Sequence, residues 1–148
     1  MRTQDDRDRV LVSMARGDEV PAQLAQFCAQ RDFPHASIEG IGAIEGVTVG
    51  AYDFEGRVYR EQKLEGGWEV LAFNGNFSWI QGQPMLHTHV TLADLDGHLR
   101  GGHLFAATVH VTLELILRPG RVRIERAQDD ATGLNLWQLD PQLDPEDS

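Results

Sequence analysis

From Ala36 onward the sequence consists of short segments with the composition and periodicity of β-strands. In the clearest segment, Val47, Val49 and Ala51 alternate with threonine, glycine and tyrosine, the pattern of a strand with one buried face. Such consecutive segments predict a mainly antiparallel sheet. The predicted strands are Ala36–Ile41, 47–52, Val58–Leu64, Trp68–Phe73, Met85–Leu95, Leu104–Leu117 and Val122–Ala127.

A single helix is predicted before these strands. Val20, Leu24, Phe27 and Cys28 follow one another at helical spacing and form one apolar stripe. We expect a helix over residues 19–31 with Asp18 as its N-cap, preceded by a short strand over residues 10–14. The predicted fold class is therefore α+β, a curved and mainly antiparallel sheet packed on one main helix.

Charge divides the 148-residue chain, whose formal net charge is -10. Residues 128–148 contain no Lys or Arg but six acidic residues, namely Asp129, Asp130, Asp140, Asp144, Glu146 and Asp147. We therefore predict one domain over residues 9–127 and an acidic C-terminal tail over residues 128–148. An acidic protein repels polyphosphate unless a local basic face overrides the mean charge, so composition does not favour nucleic acid as a partner.

Composition also bounds the location and the redox chemistry. No segment approaches the about 20 apolar residues of a membrane span, and residues 1–9 lack the apolar core of a secretory signal. Cys28 is the only cysteine, which excludes an intrachain disulfide and a cysteine-based zinc site. We expect a cytoplasmic protein that does not enter a membrane.

The sequence His87-Thr88-His89 carries the most specific chemical signal. On a strand, residues i and i+2 lie on the same face with their Cα atoms about 6.6 Å apart, so both imidazoles can reach one ion. A third histidine, His103, lies on the next predicted strand. Three neutral imidazoles with an open fourth position suit zinc best, although other divalent ions are possible.

Whether His103 can join the pair depends on the register of the hairpin. A two-residue turn at Asp96-Gly97 would pair His103 with Val90 and direct it away from the other two rings. A three-residue loop, 95–97, with Gly97 in the left-handed region would instead pair it with His89. A bulge at 101–102 would have the same effect. We predict that one of these two devices is used and that His87, His89 and His103 form a metal site.

The segment 66–77, together with His87-Thr88-His89 and Gly101-Gly102-His103, resembles the plants and prokaryotes conserved domain, or PPC domain. Upstream, 41–44 and 47–50 are similar to the early strands of the family, and 112–117 is similar to its last long strand. The resemblance covers residues 10–119. It is to the prokaryotic members of the family, in which the domain stands alone. It implies an α+β sheet, assembly as a homotrimer, and a zinc-binding cluster at positions matched here by His87, His89 and His103.

The resemblance also implies a candidate DNA-binding or regulatory module. The residues that could contact nucleic acid are Arg118, Arg121, Arg123 and Arg126, although the chain has no Arg-Gly-Arg-Pro core of an AT-hook. The same arginines also fit a solvated edge strand, whose charges discourage aggregation.

The alternative is a zinc-dependent protein that binds a small molecule, or an enzyme of hydrolytic or lyase type, without direct DNA binding. A zinc ion with an open position can polarise a carbonyl, and such chemistry usually recruits a polar or acidic neighbour. Residues that could serve in this way are Glu45, Glu69, Asn74 and Asn76.

Overall fold

The computed structural model describes residues 1–140; residues 141–148, the end of the predicted acidic tail, lie outside the described residues. One helix and eight strands follow in the order β1 Arg2–Asp6, β2 Arg9–Ala15, α1 Val20–Gln30, β3 Ala36–Asp53, β4 Val58–Ile80, β5 Gln83–Ala93, β6 Leu99–Pro119, β7 Glu125–Gln128 and β8 Asn135–Gln138. Strands dominate the described residues, and the helical part of the predicted α+β class is this single helix of 11 residues.

The sheet is antiparallel except at one contact and partly closes on itself. Strand β6 pairs with β3, β3 with β4, β4 with β5, and β5 again with β6, so these four strands form a ring. Strands β1 and β2 extend the sheet beyond β6, and β7 joins β4 through a parallel bridge at Trp79 and Glu125. This ring matters for the site because it places β5 between two partners.

Three of the four ring strands are long, and register shifts interrupt them. Strand β3 unites the predicted segments at 36–41 and 47–52, and β4 unites those at 58–64 and 68–73. The register between β3 and β4 shifts after Gly40 and after Glu45, and that between β4 and β5 shifts after Val70. Such irregularities let a strand bend without ending, which a period-two pattern cannot reveal.

The helix packs its predicted stripe against the sheet. Its buried residues are Val20, Leu24, Phe27 and Cys28, and it contacts β5 and β6. The N-cap prediction was wrong: Glu19 occupies that position without a side-chain cap. The Asp18 carboxylate instead accepts a hydrogen bond from the Ala15 amide and pairs with the terminal ammonium group at 2.8 Å.

Strands also lie near both ends of the described chain. Strand β1 pairs with β2, and the hairpin of β7 and β8 spans residues 125–138. Strand β1 lies before the proposed limit at residue 9, and the β7–β8 hairpin crosses the proposed limit at residue 127. The division into a domain and a tail therefore stays a prediction. No helix within residues 1–140 is long and apolar enough to span a membrane.

Candidate metal centre and its pocket

The β5–β6 hairpin has the register that brings the three histidines together. His89 pairs with His103 and Ala93 with Leu99, as the three-residue loop requires. The Asp94 amide donates to the His98 carbonyl at 3.1 Å, and Gly97 in the loop has φ +80°, where glycine avoids the strain of a Cβ. Of the two predicted devices, the hairpin therefore uses the three-residue loop, and β5 and β6 pair here without a bulge.

His87, His89 and His103 converge on one point of the sheet. Each offers one ring nitrogen, and these three atoms lie within 4.8 Å of one another. The Nε2 atoms of His87 and His89 are 3.3 Å apart. Two nitrogens on a tetrahedral zinc ion, each at 2.0–2.1 Å, would be separated by about 3.3–3.4 Å. The pair therefore has the spacing that a zinc site needs.

The opposite face of β5 fixes the orientation of these rings. Thr88, Val90 and Leu92 alternate with the histidine positions and are buried in the core. Because side chains alternate across a strand, burial of this set directs His87 and His89 to the other face. The ligand positions thus rest on packed sheet rather than on a loop.

Burial keeps two of the three imidazoles neutral at pH 7. It lowers the pKa of His103 to about 4, with smaller contributions from His87 and His89. Burial, then the charge of Arg126 and the His89 ring, also lowers the pKa of His87. A neutral imidazole keeps the lone pair that a metal ligand must offer.

One nitrogen of His103 is an orphan. Its Nδ1 is buried and has no hydrogen-bond partner among the described residues. The ring lies 4.6 Å from Phe105 and 5.0 Å from Tyr59, centroid to centroid, in surroundings that offer little polar contact. A buried nitrogen without a partner destabilises the protein by about 1–3 kcal/mol. The three histidines therefore fit a metal ion, which would accept electron pairs from their ring nitrogens.

Two of the predicted neighbours lie beside the cluster and two do not. On β4, Asn74 pairs with His89 and Asn76 with His87. Glu69 lies five residues before Asn74 on β4, opposite Ala93. Glu45 accepts a hydrogen bond from His110 Nδ1, or pairs with it, at 2.7 Å.

Arg126 contacts the site from the C-terminal hairpin, which is formed by β7 and β8. The guanidinium is buried, with 7% of the residue exposed, and burial lowers its pKa. It donates to Ser78 Oγ at 2.8 Å, to the Asn135 carbonyl at 2.8 Å and to Asn76 Oδ1 at 2.7 Å. Its Nη2 lies 3.4 Å from His87 Nδ1. The sequence presented Arg126 as one of several exposed arginines, whereas it faces the cluster.

The other three arginines lie apart from the histidines. Arg118 pairs with Glu39 at 2.8 Å. Arg123 pairs with Glu125 at 2.9 Å and stacks on Trp79, with its guanidinium carbon 4.0 Å from the ring centroid. Arg121 is exposed. The four candidate nucleic-acid contacts therefore do not form one open basic surface.

A pocket of about 620 Å³ adjoins the cluster, and His87 and His103 are part of its wall. Its other lining residues come from β3, β4 and the turn between them, from β5 and β6, and from the C-terminal hairpin: Tyr52, Arg57, Val58, Tyr59, Met85, Phe105, Arg126, Gln128, Gly133, Leu134, Asn135 and Leu136. The volume is within the range of small-molecule sites.

Sequence reasoning missed these pocket residues, although a signal existed for some of them. Phe105 is two residues from His103 and so lies on the same face of β6. Tyr52 and Tyr59 pair directly across the β3–β4 hairpin, with ring centroids 5.1 Å apart. In the C-terminal hairpin, Leu134 and Leu136 belong to an apolar cluster within the acidic segment, which indicates packing on the domain but does not place them at this pocket.

A second group of potential metal ligands lies in the β5–β6 loop. Asp94, Asp96 and His98 also bring three ligand atoms within 4.8 Å of one another. The Asp94 carboxylate already accepts hydrogen bonds from the amides of Asp96 and His98 and contacts the His98 ring at 3.1 Å. These contacts are those of a side chain that stabilises a turn.

Comparison with known proteins gives a family and several structures. The sequence model of the Plants and Prokaryotes Conserved (PCC) domain matches residues 1–119. No curated protein matches the chain at a significant level.

Solved structures match over nearly the whole chain. A "putative DNA-binding protein" from Bacteroides thetaiotaomicron has a TM-score of 0.88 at 26% identity, over 93% of this chain and 96% of its own. A plant- and prokaryote-conserved protein from Pyrococcus horikoshii has a TM-score of 0.82 at 29% identity, over 93% and 95%. A metal-containing protein from Archaeoglobus fulgidus has a TM-score of 0.82 at 32% identity, over 93% and 97%.

Proposed function

The chain belongs to the Plants and Prokaryotes Conserved domain family, and from this premise we propose that it binds a divalent metal ion, zinc, through His87, His89 and His103 and a small molecule beside it. The observation that carries the proposal is the convergence of three imidazoles, two of which line a pocket. One of them, His103, has a buried nitrogen without a partner among residues 1–140. The similar structure of a metal-containing protein supports it.

The residues of the pocket favour binding over hydrolysis. A bound zinc ion would supply a Lewis acid that polarises an oxygen of the ligand. Hydrolytic or lyase chemistry would also need a group that moves a proton, commonly a carboxylate. The described lining residues include no Asp or Glu, and Glu45 and Glu69 lie elsewhere. Tyr59 and Arg126 can bind and orient a ligand but are poor bases at pH 7.

We extend the proposal to the oligomeric state, a homotrimer. The outer face of the sheet exposes the large apolar residues Leu11, Ile41 and Leu71 on three different strands. Leu11 and Ile41 line one shallow groove, and Ile41 and Leu71 line another. Apolar exposure that continues across strands is typical of a surface buried between subunits. Light scattering during size-exclusion chromatography should give three times the chain mass, and Ile41→Glu should yield monomers.

DNA binding is the second candidate function, and it rests on the names of two similar structures. Besides the Bacteroides protein, a protein from Ralstonia eutropha of TM-score 0.85 is also called a putative DNA-binding protein. The charge of -10 and the pairing of Arg118 and Arg123 with glutamates oppose it. We therefore place it second.

Metal analysis tests the leading proposal. Protein purified without a histidine tag should carry about one zinc ion per chain, and His89→Ala should reduce this to background. His110→Ala is the matched control, because His110 lies on β6 but pairs with Glu45. Equal zinc content in all three proteins would contradict the assignment.

A binding titration with an AT-rich duplex tests the second candidate. If DNA binds through arginines, fluorescence anisotropy should show affinity falling steeply between about 50 and 200 mM salt. The triple change Arg118→Gln, Arg121→Gln and Arg123→Gln should then abolish binding. No binding at low salt would remove this candidate.

A further inference from the structure

Arg126 is a buried cation without a counter-ion among residues 1–140. Its partners Ser78, Asn76 and Asn135 are all neutral acceptors, and no carboxylate within residues 1–140 forms an ion pair with it. Buried charges in proteins are normally paired, because an isolated charge loses its hydration. At the wall of a pocket, a guanidinium whose charge is not balanced by a carboxylate therefore attracts an anion.

The lining of the pocket offers no carboxylate to Arg126, although an acidic residue lies near its second cation. The described lining contains Arg57 as this second cation and no acidic side chain, in a chain with 23 acidic and 13 basic residues. Arg57 is exposed, and its charge is partly balanced by Asp129. Two hydrogen bonds from Thr132, and then the charge of Arg57, lower the pKa of that carboxyl. A divalent ion on three neutral imidazoles would add two further positive charges.

The walls next to these charges are aromatic and apolar. Tyr59 contacts Tyr52, His103 and Phe105 with ring centroids 5.0–5.1 Å apart, and Met85, Leu134 and Leu136 complete the lining. Tyrosine and phenylalanine faces bind flat apolar groups. An inorganic anion would use the charge but leave this surface without a contact.

We propose that the pocket binds a small organic carboxylate with a flat apolar body. The carboxylate lies toward Arg126 and the histidine cluster, and the apolar body lies against Tyr52, Tyr59 and Phe105. The inference rests in part on the proposed function, because the metal would add to the attraction. The Arg126 and aromatic contributions do not depend on the metal.

Calorimetric titration of the full chain with benzoate tests the proposal. The matched probes are benzamide, which keeps the ring but is neutral, and acetate, which keeps the charge but lacks the ring. Benzoate should bind at least about tenfold more tightly than either probe, as expected when a charge-assisted hydrogen bond or an apolar contact is removed. Equal affinity for benzoate and benzamide, or no binding of benzoate, would overturn the proposal.

Variants identify the residue responsible. Arg126→Gln should weaken benzoate binding by at least about tenfold, Arg126→Lys should weaken it less, and Arg118→Gln should leave it unchanged. Because Arg126 also joins β8 to β4, circular dichroism must show that the variant is folded. If the glutamine variant does not fold, the lysine variant and the benzoate–benzamide ratio decide the question.

The zinc content of the same samples separates the two proposals. If the purified wild type carries no zinc, the metal centre is refuted. If that same zinc-free protein binds benzoate and needs Arg126 to do so, the carboxylate site stands. A zinc-loaded chain without preference for benzoate would refute the carboxylate site alone.

Discussion

Two groups of potential metal ligands lie on the same β5–β6 hairpin, one in its paired strands and one in its loop. In the loop, the Asp94 carboxylate is already occupied by two backbone amides and the His98 ring. In the strands, buried core residues fix the orientation of the rings, and His103 Nδ1 has no partner in the described part of the chain. Proximity is the same in both, so what distinguishes a site is rigid placement together with unsatisfied donor atoms.

Zinc affinity should show the largest difference between the two groups. His103→Ala removes a ligand and should weaken zinc binding more than about a hundredfold, beyond the usual 10–100-fold effect of changing an outer-shell partner. Asp96→Asn should leave affinity unchanged. Competition with a chromophoric chelator measures both variants. Loss of affinity in Asp96→Asn alone would place the metal in the loop.

Thermal stability should separate the two groups next. A ligand at about a hundred times its dissociation constant stabilises the folded state by about 2.7 kcal/mol. For a chain of this size, that corresponds to a rise of about 5–10 °C in the melting temperature. We expect this rise with zinc in the wild type and in Asp96→Asn, and its absence in His89→Ala. An equal rise in His89→Ala would mean that zinc stabilises the protein from another site.

The sequence predicted the histidine cluster because a strand and a tight hairpin leave few geometries open. Alternation fixed the face of His87 and His89, and Gly97 allowed the loop that brings His103 opposite His89. The pocket could not be predicted in the same way. Arg126 reaches it from β7, which joins β4 through a single bridge, and no local pattern encodes that contact.

The same reasoning explains the successes and failures in the fold. The stripe from Val20 to Cys28 predicted α1 because one face of the helix is buried. Strand β1 has a wholly polar sequence and no buried residue, so it left no period-two signal. The breaks proposed between segments of β3 and β4 reflect bulges, where the pattern shifts while the backbone continues.

A backbone contact test should give a smaller effect. At Gly75, opposite Thr88, an added Cβ would lie 2.4 Å from Thr88 Cγ2 and 2.6 Å from the His87 carbonyl oxygen. Gly75→Ala should force β4 and β5 apart beside the cluster, destabilise the fold by about 1–3 kcal/mol and weaken zinc binding. Urea unfolding and the chelator competition measure the two effects.

The matched control for Gly75→Ala is Gly97→Ala in the loop. An added Cβ at Gly97 meets no atom within 4 Å, and only its φ of +80° opposes the change. We expect a loss of about 1–2 kcal/mol, with zinc affinity unchanged. If Gly97→Ala weakened zinc binding as strongly as Gly75→Ala, the loop would take part in the metal centre.

Acidification should produce the smallest effect, confined to the loop. Hydrogen bonds from the His98 amide, and then from the His98 ring and the Asp96 amide, lower the pKa of Asp94 below its ordinary value of 3.8. Its carboxylate therefore stabilises the loop above that value, and this contribution is lost as the pH falls through the lower, folded-state pKa. In NMR titrations, the amide signals of Asp96 and His98 should shift with one midpoint below 3.8, whereas His98→Ala should raise the midpoint. A midpoint at or above 3.8 in the wild type would mean that these amides do not bind the Asp94 carboxylate. Its oxygens would then be available to a cation, and the contrast between the loop and the histidine cluster would be lost.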